Sequence, residues 1–271
     1  MHAGAMQGIG WQTIGSPGEQ IFLKKLGPVA TSKYQRPKII DLERLRHFRK
    51  KYRTLGLYIE PGLGTQILGN PNKLGHVVEP FAQSKTSLVD LELSQGLLLK
   101  SFHQKTRYNI NLTLKKKLIE IKSAPLSKLS TSSLDDFYGL RESWSKRKHV
   151  YGYEYSFISS IIKNYAGSGS LHIAYISNVP HSTLLVLEND RVATYYLAFS
   201  TIQGYKHFAP TLLTWTSMLY AQNTCDIYDF GGIYDPRYPR MYKKWQGFTK
   251  FKDGFHPTYV EYPQTHLQLF W

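Results

Sequence analysis

The 271-residue chain has one cysteine, Cys225, which excludes an internal disulfide. Its flanks, Thr224 and Asp226, supply nothing that would activate a thiol, so Cys225 is expected to be a small buried apolar residue. No apolar run approaches the roughly 18 residues of a membrane span. The first eighteen residues lack a basic segment followed by an apolar core, which argues against a secretory leader and for a cytoplasmic protein. There is no Gly-x-Ser-x-Gly elbow and no Walker loop, which disfavours a serine hydrolase and a nucleotide hydrolase. Gly62, Gly64 and Gly69 do not match a dinucleotide fingerprint. The ten histidines are scattered, so no metal site is expected. Acidic residues are scarce, with 19 Asp and Glu against 34 Lys and Arg.

The composition is that of a folded chain, with 42% apolar and 14% aromatic residues. The net charge of +15 points to a polyanionic partner: a nucleic acid, a nucleotide sugar or an anionic membrane surface. The alternative is a merely solubilising surface. The charge is clustered. Windows 36–53, 100–122 and 237–252 hold 21 of the 34 basic residues and three acidic ones. On a shared face they would steer an anion.

The hydrophobic pattern predicts a mixed α/β (α+β) chain. A strand is expected at 20–23. Asp41 caps a helix through about Leu55, with Leu42, Leu45, Phe48 and Tyr52 on one face. A strand follows at 57–59, then a Gly- and Asn-rich loop over 62–83. Strands are expected at 87–93 and 119–121, with one long basic helix over 97–117 between them. Ser133 caps a helix carrying Leu134, Phe137, Leu140 and Trp144, and a second helix runs near 157–165. Three strands follow at 171–176, 182–188 and 191–199, the last two joined by the tight Asn189-Asp190 connection. A helix opens near Pro210. A strand at 226–230 runs into Gly231-Gly232. Residues 236–250 read as a basic loop and 255–262 as the final strand.

Three segments combine residues suited to chemistry. Lys105, Arg107 and Tyr108 suit phosphate contact and base stacking, or simply a solvated helix face. Asp229-Phe230-Gly231-Gly232 ends a core strand, where α/β sheets open pockets and where a bulge also requires glycine. Lys252 sits between Phe251 and Phe255. Read by strand alternation, it points into a cleft, where a cation would stabilise an oxyanion; a snorkelling surface lysine is the alternative.

Taken in order, Ser84–Leu93, Ser101–Ile110, Tyr195-Tyr196, Tyr228–Gly232 and Trp245–Phe255 resemble the FemABX family of non-ribosomal peptidyltransferases. The resemblance covers about 84–262. It implies two acetyltransferase-like (GNAT-type) domains, a shortened first one at 1–83 with 256–271 and a second at 84–255. It implies aminoacyl transfer from aminoacyl-tRNA to the stem-peptide amine of a UDP-linked or lipid-linked muramyl peptide precursor in interpeptide bridge formation. That chemistry needs no cofactor and no membrane span, and allows peripheral contact with the inner membrane face. By resemblance, Lys252 meets the oxyanion or the tRNA 3′ end, and Glu60 lies in the acceptor cleft. Lys105, Arg107, Tyr108, Tyr195 and Asp229 complete the substrate set. Lys115, Lys116, Lys117, Lys243 and Lys244 are expected to touch tRNA. Tyr151-Gly152-Tyr153 stand where the family often has a basic residue, and His256-Pro257 where a glycine is common. Two other readings compete: an acyl-CoA-dependent N-acyltransferase on the same fold, and a tRNA-binding module without catalysis. Against the first, the segment 204–210 offers one glycine for a pyrophosphate loop.

Overall fold

The computed structural model describes residues 6, 10–16, 19–150 and 154–269; the expected turn at Pro17-Gly18 and the Tyr151–Tyr153 segment lie outside them. The chain divides into two compact units. One comprises Met1–Lys85, Tyr234–Lys243 and Val260–Trp271, and the other Thr86–Ile233 and Lys244–Tyr259. Among the described residues, no helix is long and apolar enough to cross a membrane.

The first unit is built on β1 (Gln12–Ile14), β2 (Ile21–Leu26), β3 (Val29–Gln35), β4 (Ile39–Asp41), α1 (Leu42–Tyr52), β5 (Thr54–Glu60), β6 (Gln66–Leu68) and β7 (His76–Val78). Its main sheet runs β1-β2-β3-β5, then the C-terminal strand Thr265–Leu269, then β7; β4 and β6 form a parallel pair of their own. The sequence pattern shows β2 but not β3. The inward residues of β3 are Ala30, Ser32 and Tyr34, too small or too polar to register as an apolar alternation. The Gly27-Pro28 turn folds β3 back on β2, pairing Leu26 with Val29 and Ile21 with Tyr34. Asp41 caps α1 as expected, accepting from the Glu43 and Arg44 amides at 2.9 and 3.1 Å. The helix stops at Arg53, in the left-handed region, short of Leu55. Its buried Leu45 and Phe48 pack with Leu23, Leu57 and Ile59. The segment expected as a loop, 62–83, contributes β6 and β7.

The second unit contains β8 (Lys85–Asp90), α2 (Gln95–Ser101), α3 (Gln104–Lys116), β9 (Ile119–Pro125), α4 (Thr131–Lys148), α5 (Tyr155–Asn164), β10 (Gly169–Ile176), β11 (Val179–Asn189), β12 (Val192–Ser200), α6 (Ile202–Lys206), α7 (Ala209–Ala221) and β13 (Ile227–Gly232). After α8 (Pro239–Tyr242), which counts with the first unit, come α9 (Gln246–Asp253) and β14 (Thr258–Glu261). The sheet order is β14-β8-β13-β12-β11-β10-β9. Strands β9 to β12 form an antiparallel meander. Asp190 and Arg191 both have positive φ, the geometry of a two-residue hairpin turn that matches strand twist. Helix α7 then carries the chain over to β13, which pairs parallel to β12.

Two expectations fail here. The long basic helix is two helices, because Phe102 is extended rather than helical and is 1% exposed. Its ring packs edge-on against Trp215 and Phe255. Full burial of a phenylalanine is worth about 1.5–3 kcal/mol, enough to offset one or two hydrogen bonds that an unbroken helix would add at about 0.5–1.5 kcal/mol each. The basic loop is also an error. Residues 239–253 form α8, a 3-10 turn and α9, and the final strand of the expectation is confined to Thr258–Glu261. Phe248, Phe251 and Phe255 recur at helical spacing, a period hidden among the lysines.

Candidate functional site

Strands β12 and β13 pair over only three positions, from Val192 with Ile227 to Thr194 with Asp229. Beyond that point β12 continues to Ser200 and β13 to Gly232 without pairing, so the sheet opens between them. The cause lies in the Asp-Phe-Gly-Gly sequence. Gly231 has φ +69°, a conformation that strains any residue with a Cβ. The register against β8 shifts between Asp229 and Gly232. The Asp229 carboxylate fixes this bulge. It accepts from the Gly231 amide at 2.7 Å and from the Thr86 hydroxyl, which also lies 2.9 Å from the Gly231 carbonyl.

Lys252 enters this region from α9, not from a strand, so the alternation argument for its direction does not apply. The residue is 6% exposed. Its Nζ donates to the Phe230 and Gly232 carbonyls, each at 2.7 Å, both beyond the last β12–β13 pair. An ammonium has three donors, so one N–H has no protein acceptor among the described residues. The Phe248 and Tyr195 rings lie 4.9 and 5.7 Å from the nitrogen. Burial lowers the lysine pKa to about 8, against an opposing pull from Asp229. Tyr195 packs its ring on Phe230, and burial pushes its phenol well above the ordinary value.

Helix α3 adjoins α9: the His103 amide donates to the Gly254 carbonyl at 3.0 Å. Arg107 turns inward. Its NH1 donates to the Lys100 carbonyl at 3.1 Å and to the Phe102 carbonyl, closing the end of α2. Lys105 and Tyr108 are exposed, the latter by 62%. Lys115, Lys116 and Lys117 are exposed at the far end of α3, about 16 Å along its axis. Lys243 and Lys244 are exposed in the 3-10 turn after α8. The second unit thus gathers Lys252, Asp229 and Tyr195 at one strand opening and sets Lys105 and Tyr108 on the helix beside α9.

Glu60 lies in the first unit, at the end of β5, 5% exposed. It accepts from the Phe81 and Ala82 amides at 2.6 and 2.7 Å and from Gln35 Nε2 at 2.8 Å. It borders a shallow open cleft lined also by Arg36, Pro61, Gln83 and Tyr262. Two residues in the first unit, Lys33 and Asp235, have no role in the sequence pattern. Lys33 is held 3.8 Å over the Phe81 ring, and burial lowers its pKa. Asp235 is fully buried and takes bonds from Ser84 Oγ and from the Arg237 backbone and guanidinium. Burial opposes its charge, but these bonds outweigh burial and lower its pKa. Lys33 lies on a strand whose alternation is too weak to read, and nothing local marks Asp235.

Residues 174–265 match the model of the FemAB family. No curated protein matches the sequence. Among solved structures, the chain is similar to the crystal structure of FemX, with a TM-score of 0.77 at 15% identity, covering 99% of this chain and 90% of that one. It is similar to the structure of L-PGS from Bacillus licheniformis, with a TM-score of 0.63 at 11% identity over 98% of this chain and 86% of the other. A tandem GNAT protein from the clavulanic acid biosynthesis pathway gives 0.53 at 9% identity, over 95% and 81%. The fold is therefore mixed α/β of the GNAT type, and the resemblance to the FemABX family read from the motifs is borne out.

Proposed function

We propose that this FemAB-type chain moves an aminoacyl group from aminoacyl-tRNA to the stem-peptide amine of a peptidoglycan precursor. The observation that carries the reading is the Lys252 ammonium, buried at the strand opening with two N–H groups engaged and one unengaged. The ester is already activated. The acceptor amine attacks its carbonyl, a tetrahedral oxyanion forms, and the ribose oxygen leaves with a proton as the amine gives one up. The protein's task is positioning and charge stabilisation. Lys252 supplies the remaining N–H and its charge to the oxyanion. Asp229 shapes the bulge that presents the two carbonyls gripping Lys252, and Tyr195 walls the opening. Glu60 orders the turn at 81–82 beside the acceptor cleft. Lys105, Tyr108 and the Lys115–Lys117 run face the tRNA, with Lys243 and Lys244 as further contacts, and Arg107 supports them by bracing the join of α2 and α3.

The acyl-CoA reading is weaker. The β12–α7 connection has one glycine, Gly204, and a Cβ there would lie 2.5 Å from the His181 carbonyl. That glycine serves close packing, not a phosphate cradle. The protein is incubated with a murein precursor plus either charged tRNA or acetyl-CoA, and the product is read by mass. An aminoacyl increment on the precursor with charged tRNA alone is expected. An acetyl increment supports the acyl-CoA reading, and no increment with either donor supports a binding module.

A further inference from the structure

The helix of the first basic window, α1, supplies no residue to the proposed reaction. From Arg44 to Arg53, six of ten residues are Lys or Arg. Two of them are engaged: Arg44 pairs with Glu19 at 2.6 Å, and Arg49 reaches the Gln268 side chain at 3.4 Å. Arg46, Lys50, Lys51 and Arg53 are exposed and form no ion pair among the described residues. The apolar side of α1 packs on the core through Leu45 and Phe48, so these cations lie on its outward side.

The strand register puts the end of α1 at one tip of the first unit. The Ala30 amide donates to the Arg53 carbonyl at 3.2 Å, and Ala30 lies opposite Thr54 in the parallel β3–β5 pair. The Gly27-Pro28 turn, the start of β5 and Leu269, which lies opposite Gly56, therefore share that tip. Three leucines stand out from it: Leu26, Leu55 and Leu269, 52%, 48% and 46% exposed. Leu55 does so because the register shifts there. Ala30 pairs with Thr54 and Thr31 with Gly56, which leaves Leu55 without a partner on β3. Lys25 is exposed beside Leu26. No acidic residue occurs in 20–40 or in 44–59. The acids of α1, its cap Asp41 and Glu43, lie at the other end of the helix. Glu43 is about 15 Å along the axis from Arg53, beyond the screening length of about 8 Å at physiological salt.

A solvated surface needs cations but not leucines. A nucleic-acid surface sets cations beside rings or amides that stack on bases or read them, and this tip offers aliphatic side chains instead. The ring in the last turn of α1, Tyr52, is half-buried and packs on Phe48 at 4.7 Å. Leucines among unpaired cations suit a polyanion with an apolar interior. We propose that this tip docks the protein on a lipid bilayer with anionic headgroups. Leu26 and Leu55 enter the boundary between headgroups and acyl chains, and Lys25, Lys50, Lys51 and Arg53 meet the headgroup charge.

Flotation of the full chain with vesicles of phosphatidylcholine, alone or mixed with phosphatidylglycerol, measures docking. Binding is expected only where phosphatidylglycerol is present and should weaken as salt rises. Lys50→Ala/Lys51→Ala, altered only at exposed positions, should bind about 25-fold more weakly, at about fivefold per basic residue near an anionic surface. Leu26→Ser/Leu55→Ser should weaken binding at every salt concentration and leave its salt dependence unchanged. Lys128→Ala/Lys163→Ala removes the same charge from exposed positions of the second unit and should bind as the wild-type chain does. All three variants should keep the wild-type melt and the wild-type rate of transfer to a soluble precursor. No vesicle binding by the wild-type chain, wild-type binding by both tip variants, or an equal loss in the second-unit variant would overturn the docking surface and leave the aminoacyl-transfer reading standing. If the tip variants instead lose tRNA affinity and keep vesicle binding, the tip is an RNA contact and the proposal is wrong.

Discussion

Glu60 in the first unit and Lys252 in the second are both buried charges held by backbone, in opposite senses. Glu60 accepts from two amides and a glutamine, so both of its oxygens are occupied. Lys252 donates to two carbonyls and keeps one N–H. Asp235, also in the first unit, is closed like Glu60, bonded to Ser84 and Arg237. A closed buried charge fixes the chain around it. An open one retains capacity for a ligand, and that capacity is what a transition-state charge would use. Buried charges in this chain are therefore of two kinds, and substitution should separate them.

The largest effect is expected at the most closed group. Asp235→Ala leaves the Arg237 guanidinium and Ser84 without their partner, and breaking such a pair should cost about 3 kcal/mol in denaturant unfolding. A loss under 1 kcal/mol would show that the first unit does not depend on it. Lys252→Met should lower turnover by about 10²–10³, the scale for removing one oxyanion donor, with tRNA affinity unchanged. Because two carbonyls also lose their donor, the melting temperature should fall too. A stable variant with near-normal turnover would reduce Lys252 to packing. Glu60→Gln replaces one acceptor oxygen by an NH2 donor, set against either the Phe81 and Ala82 amides or the Gln35 amide, and should cost about 1–3 kcal/mol of stability. A larger fall in kcat than in stability would mean that Glu60 does chemistry and is not closed. Arg107→Ala should cost about 1 kcal/mol by uncapping α2, measured by urea unfolding, with a smaller change in RNA affinity. Lost RNA binding at unchanged stability would return Arg107 to the phosphate contacts.

Much of the second unit was legible in the sequence, because its elements announce themselves locally. The meander of β10 to β12 is written in apolar strands, with its tight turn formed by Asp190-Arg191, one residue after the Asn189-Asp190 expected, and α7 is written in Pro210 and its apolar residues. The motif at 229–232 marks the strand end that the structure opens. What stayed hidden depends on distant partners. The break at Phe102 follows from a ring seated on Trp215 and Phe255. The helix carrying Lys252 has a cationic sequence that masks its aromatic period. Arg107 and Lys105 look alike in sequence, yet one bonds the end of α2 and the other faces solvent. Asp235 acquires its role only when Ser84 is brought beside it.

The pH dependence of aminoacyl transfer tests the open lysine most directly. The Lys252 pKa is lowered to about 8 in the folded chain from an ordinary 10.5. The unfolded chain therefore holds more protons between these values, and the lysine's contribution to stability rises with pH across that window. Donation to the oxyanion runs the other way, since the charged donor is lost as pH rises through about 8. Single-turnover amide formation should therefore show a limb descending near pH 8 while the folded state becomes firmer. In Lys252→Arg that limb should leave the measured range, because a guanidinium keeps its proton. The same descending limb in Lys252→Arg as in the wild-type protein would contradict the account.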